Sequence, residues 1–307
     1  MSKKGFTLVE LMVAIAITGI VTAAGFTFFN NTFNFSVLHK RTIDMQRETR
    51  IGIDILSRDI RLAGFGMIDP MVGTFQSAVP IIQAGNNVDP DPAGNAGKLD
   101  RITLVGGYQG VGTLSAAAGS GAGQISINFF AGVSPASLSG QTITLEGFYY
   151  GTATQVGATN NFNISPPLNR NYSTLNTVVA IQRVTYRVAI PAGETEPALY
   201  RDVDLNNDGV VDQSDIVASG IEDLQFAYLL TDGTEVNSPP AITLPRTGTQ
   251  ISAVRVSLLV RGKDPKTTAR PSTRPALEDH AAGTVADQYH RKVMTKVVEV
   301  RNLGFFN

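Results

Sequence analysis

The sequence predicts an α+β protein in which a long N-terminal α-helical spine, membrane-embedded in its first half, packs on an antiparallel β-rich head. Three observations lead there. Residues 6–29 are largely apolar and hold one charged side chain, residues 30–66 keep helical spacing without a proline, and beyond residue 67 short β-type runs alternate with turn formers.

Composition narrows the function classes first. The chain has 307 residues, a formal net charge of −1 and 43% hydrophobic residues, enough for one sizeable domain beyond a membrane segment. The charge balance implies no nucleic-acid partner. With no cysteine, disulfides, thiolate metal sites and thiol redox chemistry are excluded. The three histidines, His39, His280 and His290, lie far apart and share no ligand spacing.

The 24 residues from Phe6 to Phe29, rising about 1.5 Å each, make a helix of roughly 36 Å, longer than a hydrocarbon core of about 30 Å. Lys3 and Lys4 precede it and hold the N-terminus in the cytoplasm, so that the remainder faces outward. Glu10 is the anomaly, because an acid deep in a membrane helix costs on the order of 3 kcal/mol. Two simpler readings are an acid favoured by the dipole of the first helical turns, and a secretory signal peptide cut after Thr22, Ala23 and Ala24. An acid inside the hydrophobic region argues against the second.

Gly5-Phe6-Thr7-Leu8-Val9-Glu10-Leu11, behind a short basic leader and ahead of an apolar helix, resembles the processing motif of type IV pilins and pseudopilins. The resemblance implies that a prepilin peptidase cuts between Gly5 and Phe6 and methylates the new N-terminus on Phe6. It also implies a role for Glu10 in assembly, meeting the N-terminal ammonium of a neighbouring subunit in the filament core. Either charge buried alone would be costly, whereas the pair is tolerable.

Past Phe29, Met45, Thr49, Ile53, Leu56, Ile60 and Ala63 recur at three- or four-residue steps and form one stripe. Arg47, Arg50, Asp54, Arg58 and Arg61 fall mostly elsewhere, with Asp54 four residues from an arginine on each side, as on a solvated, salt-linked face. One helix therefore runs from about Phe6 to Ala63, stopped by Gly64, Gly66 and Pro70.

In the head, strands are expected at 101–105, 125–129, 142–149, 178–190, 221–229, 251–260 and 292–301, where Val, Ile and Tyr interleave with polar residues. Loops are expected at 85–98, at the Gly/Ala/Ser-rich 106–123, and at 262–289, the last as a mobile excursion between two late strands. Gly119 to Gly123 lacks the preceding strand and following helix of a nucleotide-binding turn.

The most chemically specific stretch of the head is DLNNDGVVDQSD, Asp204 to Asp215. Counting Asp204 as position 1, Asn206, Asp208, Val210, Asp212 and Asp215 take positions 3, 5, 7, 9 and 12, the calcium-loop spacing of EF-hands, with Gly209 at the sharp turn. A hard cation needs six to eight oxygens, and alternate residues of a wrapping loop supply them, Val210 through its carbonyl. Asp215 replaces the usual glutamate, as in dockerin-like loops. Because Ala198 to Arg201 reads as a strand end, one bound Ca2+ would sit in a loop between strands. The structural alternative is an Asn/Asp/Gly-rich turn that binds nothing.

Leu56 to Gly66 (LSRDIRLAGFG), Ile221 to Phe226 (IEDLQF) and the closing VMTKVVEVRNLG are similar to segments of the PilW family of minor pilins. The division implied is a leader at 1–5, a transmembrane and filament-core helix at 6–29, its amphipathic continuation at 30–66, and a β-rich head at 67–307 with the calcium-type loop at 204–215. The resemblance implies a minor pilin that primes type IV pilus assembly and sits at the tip, with a J-like pseudopilin of a type II secretion system as the alternative. The implied partners are other minor pilins, the major pilin, the prepilin peptidase, the inner-membrane assembly platform, a large tip adhesin, and membrane lipid before assembly. It implies an inner-membrane single-pass precursor with a periplasmic head that is later exposed at the pilus tip. No nucleophile–histidine–acid constellation indicates an enzyme.

Overall fold

The computed structural model describes residues 7–67, 81–91, 98–239, 250–262 and 271–301. The chain forms two units, residues 1–47 and 48–307. Helix α1, Leu8–Leu62, contributes to both.

In the first unit, Leu8, Val9, Leu11 and Met12 are all exposed, as are Ile15, Ile20, Phe26 and Phe29. Consecutive positions cover every side of a helix, so this surface is apolar all round. Among the described residues α1 is the one helix long and apolar enough to cross a membrane. Its hydroxyls do not oppose that, because Thr18, Thr22 and Thr27 donate to the carbonyls of Ala14, Thr18 and Ala23, at 2.7, 2.8 and 2.9 Å.

In the second unit, α1 becomes a packed helix. Thr49, Ile53, Leu56 and Ile60 are buried, with Ala63 just beyond them. Gly52 lets the sheet approach closely, since a Cβ there would lie 3.0 Å from the Ala218 Cβ. Asp59 is only 4% exposed, and its Oδ2 accepts from Tyr186 Oη and Arg201 Nε, both at 2.7 Å. This buried acid pins the helix to the sheet. Asp54 pairs with Lys296 Nζ at 2.7 Å, a residue 242 positions away, in place of the expected helical arginines.

The helix ends at Gly64 and Gly66, both at positive φ, where L side chains are strained. Gly64 N–H donates to Val105 O and Gly107 N–H donates to Phe65 O, each at 2.8 Å. These bonds tie the helix end to β2, Lys98–Leu114, which runs straight through the stretch expected as a loop from residue 106. Its glycines allow close approach: a Cβ on Gly106 would meet Leu62 O at 2.6 Å, and one on Gly112 would meet Asn128 O at 2.2 Å. Composition resembled a flexible loop, whereas crowding is what selects glycine here.

Strand β1, Ile82–Pro90, pairs antiparallel with β2 and occupies part of the other expected loop, 85–98. The expected strand 142–149 divides into β4, Thr142–Leu145, and β5, Tyr149–Gln155, around a turn with Glu146 and Gly147 at positive φ. With β3, Gln124–Phe129, β6, Asn161–Ser165, and β7, Thr177–Ala189, the order is β2-β3-β6-β5-β4-β7, and β7 pairs again with β2. The ladder closes on itself as a six-stranded antiparallel barrel. Its interior holds Val111, Leu114, Ile127, Ile143, Phe162 and Val178, all buried, and one short helix, α2 (Pro135–Leu138), turns its Leu138 inward.

The sheet continues from β7 to β8, Ala198–Asp204, and β9, Gln213–Ser219. A second sheet has the order β11-β10-β12-β15, from Glu235–Val236, Ile221–Leu230, Ile251–Arg261 and Arg291–Glu299. Between β12 and β15 lies the short pair β13, Ser272–Thr273, and β14, Ala286–Asp287.

Candidate functional site

Gly5 and Phe6 lie outside the described residues. Glu10 is placed at the head of α1, where its Oε2 accepts from Thr7 N–H at 2.9 Å and Thr7 Oγ1–H at 3.0 Å, while Glu10 N–H donates to Thr7 Oγ1 at 3.3 Å. This is a reciprocal capping box. The Thr7-Leu8-Val9-Glu10 spacing carries that signal in the sequence, beneath the processing motif that overlaps it.

The calcium-type stretch forms the turn of the β8–β9 hairpin. Asp204 ends β8, and Asp212 N–H closes the turn onto Val203 O at 2.9 Å. Asn207 and Gly209 stand at positive φ, on either side of the exposed Asp208. Asp204 Oδ2 accepts from Gly209 N–H at 2.9 Å, Asn206 Oδ1 from Asp208 N–H at 3.1 Å, Asp208 Oδ1 from Val210 N–H at 2.7 Å, and Asp212 Oδ2 from Leu205 N–H at 2.8 Å. Asp215 does not join them. It sits within β9 opposite Arg201, and strand alternation puts it on the face away from Ser214 and Asp202, which bond to each other at 2.5 Å. A strand after the turn carries position 12 away, where an EF-hand helix would return it. Among the described residues, no three histidine, aspartate or glutamate side chains already converge as a ligand set.

A third site was hidden in the apolar β10. Its Glu222, Asp223 and Gln225 are all 0% exposed. Ions in such a strand survive only when paired. A register shift between Ile221 and Asp223 marks a bulge at Glu222 that re-aims the two acids. Glu222 receives a fork from Arg291, Nε to Oε2 at 2.5 Å and Nη2 to Oε1 at 2.8 Å. Asp223 Oδ2 bonds both Arg274 Nη1 and His280 Nδ1, the latter at 2.8 Å. Glu278 accepts from Arg255 Nε at 3.0 Å and Ser257 Oγ at 2.6 Å. Residues 274–280 are therefore clipped to β10 and β12, which corrects the expectation of a mobile excursion over this part of 262–289.

Electrostatics around the clip are unusual. Asp100 accepts the N–H groups of Asn87 and Phe226, each at 2.8 Å, yet burial dominates and raises its pKa to about 7. The hydrogen bond that His280 Nδ1 donates to Asp223 raises His280 above its ordinary value against the opposing effect of burial.

Residues 1–26 match the prokaryotic N-terminal methylation motif, and residues 185–302 match the family described as Type IV Pilus-assembly protein W. A methylation motif opening an apolar helix, followed by an antiparallel β-rich head, defines a membrane-anchored, type IV pilin-like protein. Within that class the similarity to the PilW family runs from the second half of β7 through β15. The barrel core lies outside it. The type IV-like pilin TTHA1219 from Thermus thermophilus is a similar solved structure, at 13% identity and a TM-score of 0.43, covering 84% of this chain and 95% of that one. No curated protein matches.

Proposed function

We propose that this protein is a minor pilin that helps to prime type IV pilus assembly and sits at or near the filament tip, acting as a structural subunit without enzymatic activity. The observation that carries the reading is the presence, on one chain, of the methylation motif at 1–26 and the assembly-protein match at 185–302. In this reading the prepilin peptidase cuts between Gly5 and Phe6. The precursor waits in lipid with its head in the periplasm, and the assembly platform then moves it into the filament beside other minor pilins and the major pilin. Glu10 exchanges its Thr7 partners for the amine of a neighbouring subunit, while the head faces outward, where a large adhesin would dock.

The test combines pilus counts with position. Deletion of the gene should abolish or sharply reduce pili, Glu10→Ala should leave leader removal intact but impair incorporation, and immunogold against the head should mark filament ends. Normal pilus number in the deletion strain, or label spread evenly along shafts, would sink the reading. Intact pili with failed protein secretion would move the assignment to a secretion pseudopilin.

A further inference from the structure

We propose that the β8–β9 turn, residues 204–212, binds one calcium ion through Asp204, Asn206, Asp208, the Val210 carbonyl and Asp212. Water takes the place of a carboxylate at position 12.

Spacing alone would not carry this, because an acidic turn is common on protein surfaces. The independent observation is at Asp204. Its side chain is 5% exposed, Oδ2 is held by Gly209 N–H at 2.9 Å, and Oδ1 of the same carboxylate is buried with no hydrogen-bond partner. Arg183 lies opposite on β7 with its Nη1 3.6 Å from Oδ2, an ion pair on that oxygen that leaves Oδ1 without a donor. In the same turn, Asn207 Oδ1 is a second buried oxygen without a donor. Carboxylate and amide oxygens only accept, so each buried one without a donor is a place for a cation or an ordered water. A buried carboxylate oxygen favours the cation.

The turn is also preorganised. Asp204, Asn206 and Asp212 each commit one oxygen to a loop N–H group, and Asp208 accepts from Val210 N–H on Oδ1 and from Asn206 Nδ2 on Oδ2. That arrangement fixes the backbone and leaves coordination capacity on every one of these groups. Asp208 and Asp212 are exposed, so the rotamer changes that bring them to the ion cost little. Oxygen-only donors of this kind select a hard cation, and a turn that supplies several protein oxygens without octahedral geometry suits calcium better than magnesium.

Binding would act where two parts of the head meet. The turn touches β7 through Asn207 Nδ2 to Ile181 O at 3.0 Å, and β4 through Thr142 Oγ1 to Asn206 O at 3.4 Å. An ion in the turn would stiffen the junction between the barrel and the rest of the sheet.

The test uses the full chain in detergent micelles, titrated with calcium chloride and, separately, magnesium chloride, and read by calorimetry and thermal melting. The expected result is one calcium site with Kd on the order of 10⁻⁴–10⁻³ M, weakened by the lack of a bidentate acid. A rise in Tm reversed by chelator should accompany it. Asp208→Ala and Asp212→Asn should each weaken binding by about tenfold and shrink the calcium-dependent rise in Tm, each variant read against its own calcium-free Tm, and Asp215→Asn should leave affinity within about twofold. Asp204 is kept because its bond to Gly209 holds the turn. No saturable response up to about 10 mM calcium, an equal response to magnesium, or binding lost in Asp215→Asn but kept in Asp208→Ala would overturn the proposal.

Discussion

Arg274 and Asp223 form an ion pair in which the guanidinium side chain is 1% exposed and the carboxylate 0%. Arg274 Nη2 also donates to Ala281 O, so one side chain secures both the central strand and the segment lying over it. The pair closes a contact across 51 residues of chain.

Arg274→Ala leaves the buried Asp223 with His280 and the neutral amide of Gln225 as partners. Breaking a buried pair from one side costs about 3–5 kcal/mol. The head of this variant should melt at a lower temperature, and limited proteolysis should cut first between residues 271 and 287. An unchanged cleavage pattern would show that Glu278 and Arg255 suffice to hold the segment.

Asp100 and His280 set a pH dependence of one sign. Both have folded-state pKa values above their ordinary ones. For His280 the contribution to stability is complete below its unfolded value of 6.5 and is lost as pH rises through the higher folded value. For Asp100 the folded state holds a proton between about pH 4 and about 7 that the unfolded state has released, so stability falls across that window. Tm should therefore decline from pH 5 towards pH 8, and Asp100→Asn should flatten the slope. The slope is the quantity to measure, because the amide cannot accept both N–H groups and absolute stability will change as well.

Asp59 is the pin between helix and sheet. Asp59→Asn should cost about 2–3 kcal/mol, since hydrogen bonds to a buried charge are worth more than neutral ones, and Tyr186→Phe about 1 kcal/mol. Because both contacts end on one oxygen, the double variant should be less than additive in urea unfolding.

Gly106→Ala puts a methyl 2.6 Å from the Leu62 carbonyl and 3.1 Å from the Gly64 nitrogen, whereas Gly123→Ala meets nothing within 4 Å. The first should destabilise by about 1–3 kcal/mol, as overpacking does, and the second should stay within about 0.5 kcal/mol. Equal melting of the two would contradict the close packing of β2 against the helix end.

Some of this was legible in the sequence for identifiable reasons. The stripe from Thr49 to Ala63 depends only on helical period, and period survives any tertiary arrangement. Strands rich in Val and Ile, such as β12, carry their own pattern for the same reason. The barrel was harder to see. Its β5 and β6 are short and polar on alternate residues, and β2 hides its second half behind glycines required by neighbours that sequence spacing does not display. The position-12 aspartate illustrates the same limit, because whether Asp215 returns to the turn depends on strand or helix following it. Glu222 and Asp223 were visible as acids in an apolar run, but their partners lie 69 and 51 residues away. A local reading records the odd charge without its reason.

The closed ring has one further consequence. Chain enters it along β2 and leaves along β7, and those strands are paired neighbours, with Gly107 opposite Ile181. The ends of the intervening segment are thus about 5 Å apart, close enough for a tight turn to join them. The barrel is a cassette on a two-strand stem. It can be exchanged, enlarged or deleted in evolution or by design, while the flanking strands keep their register.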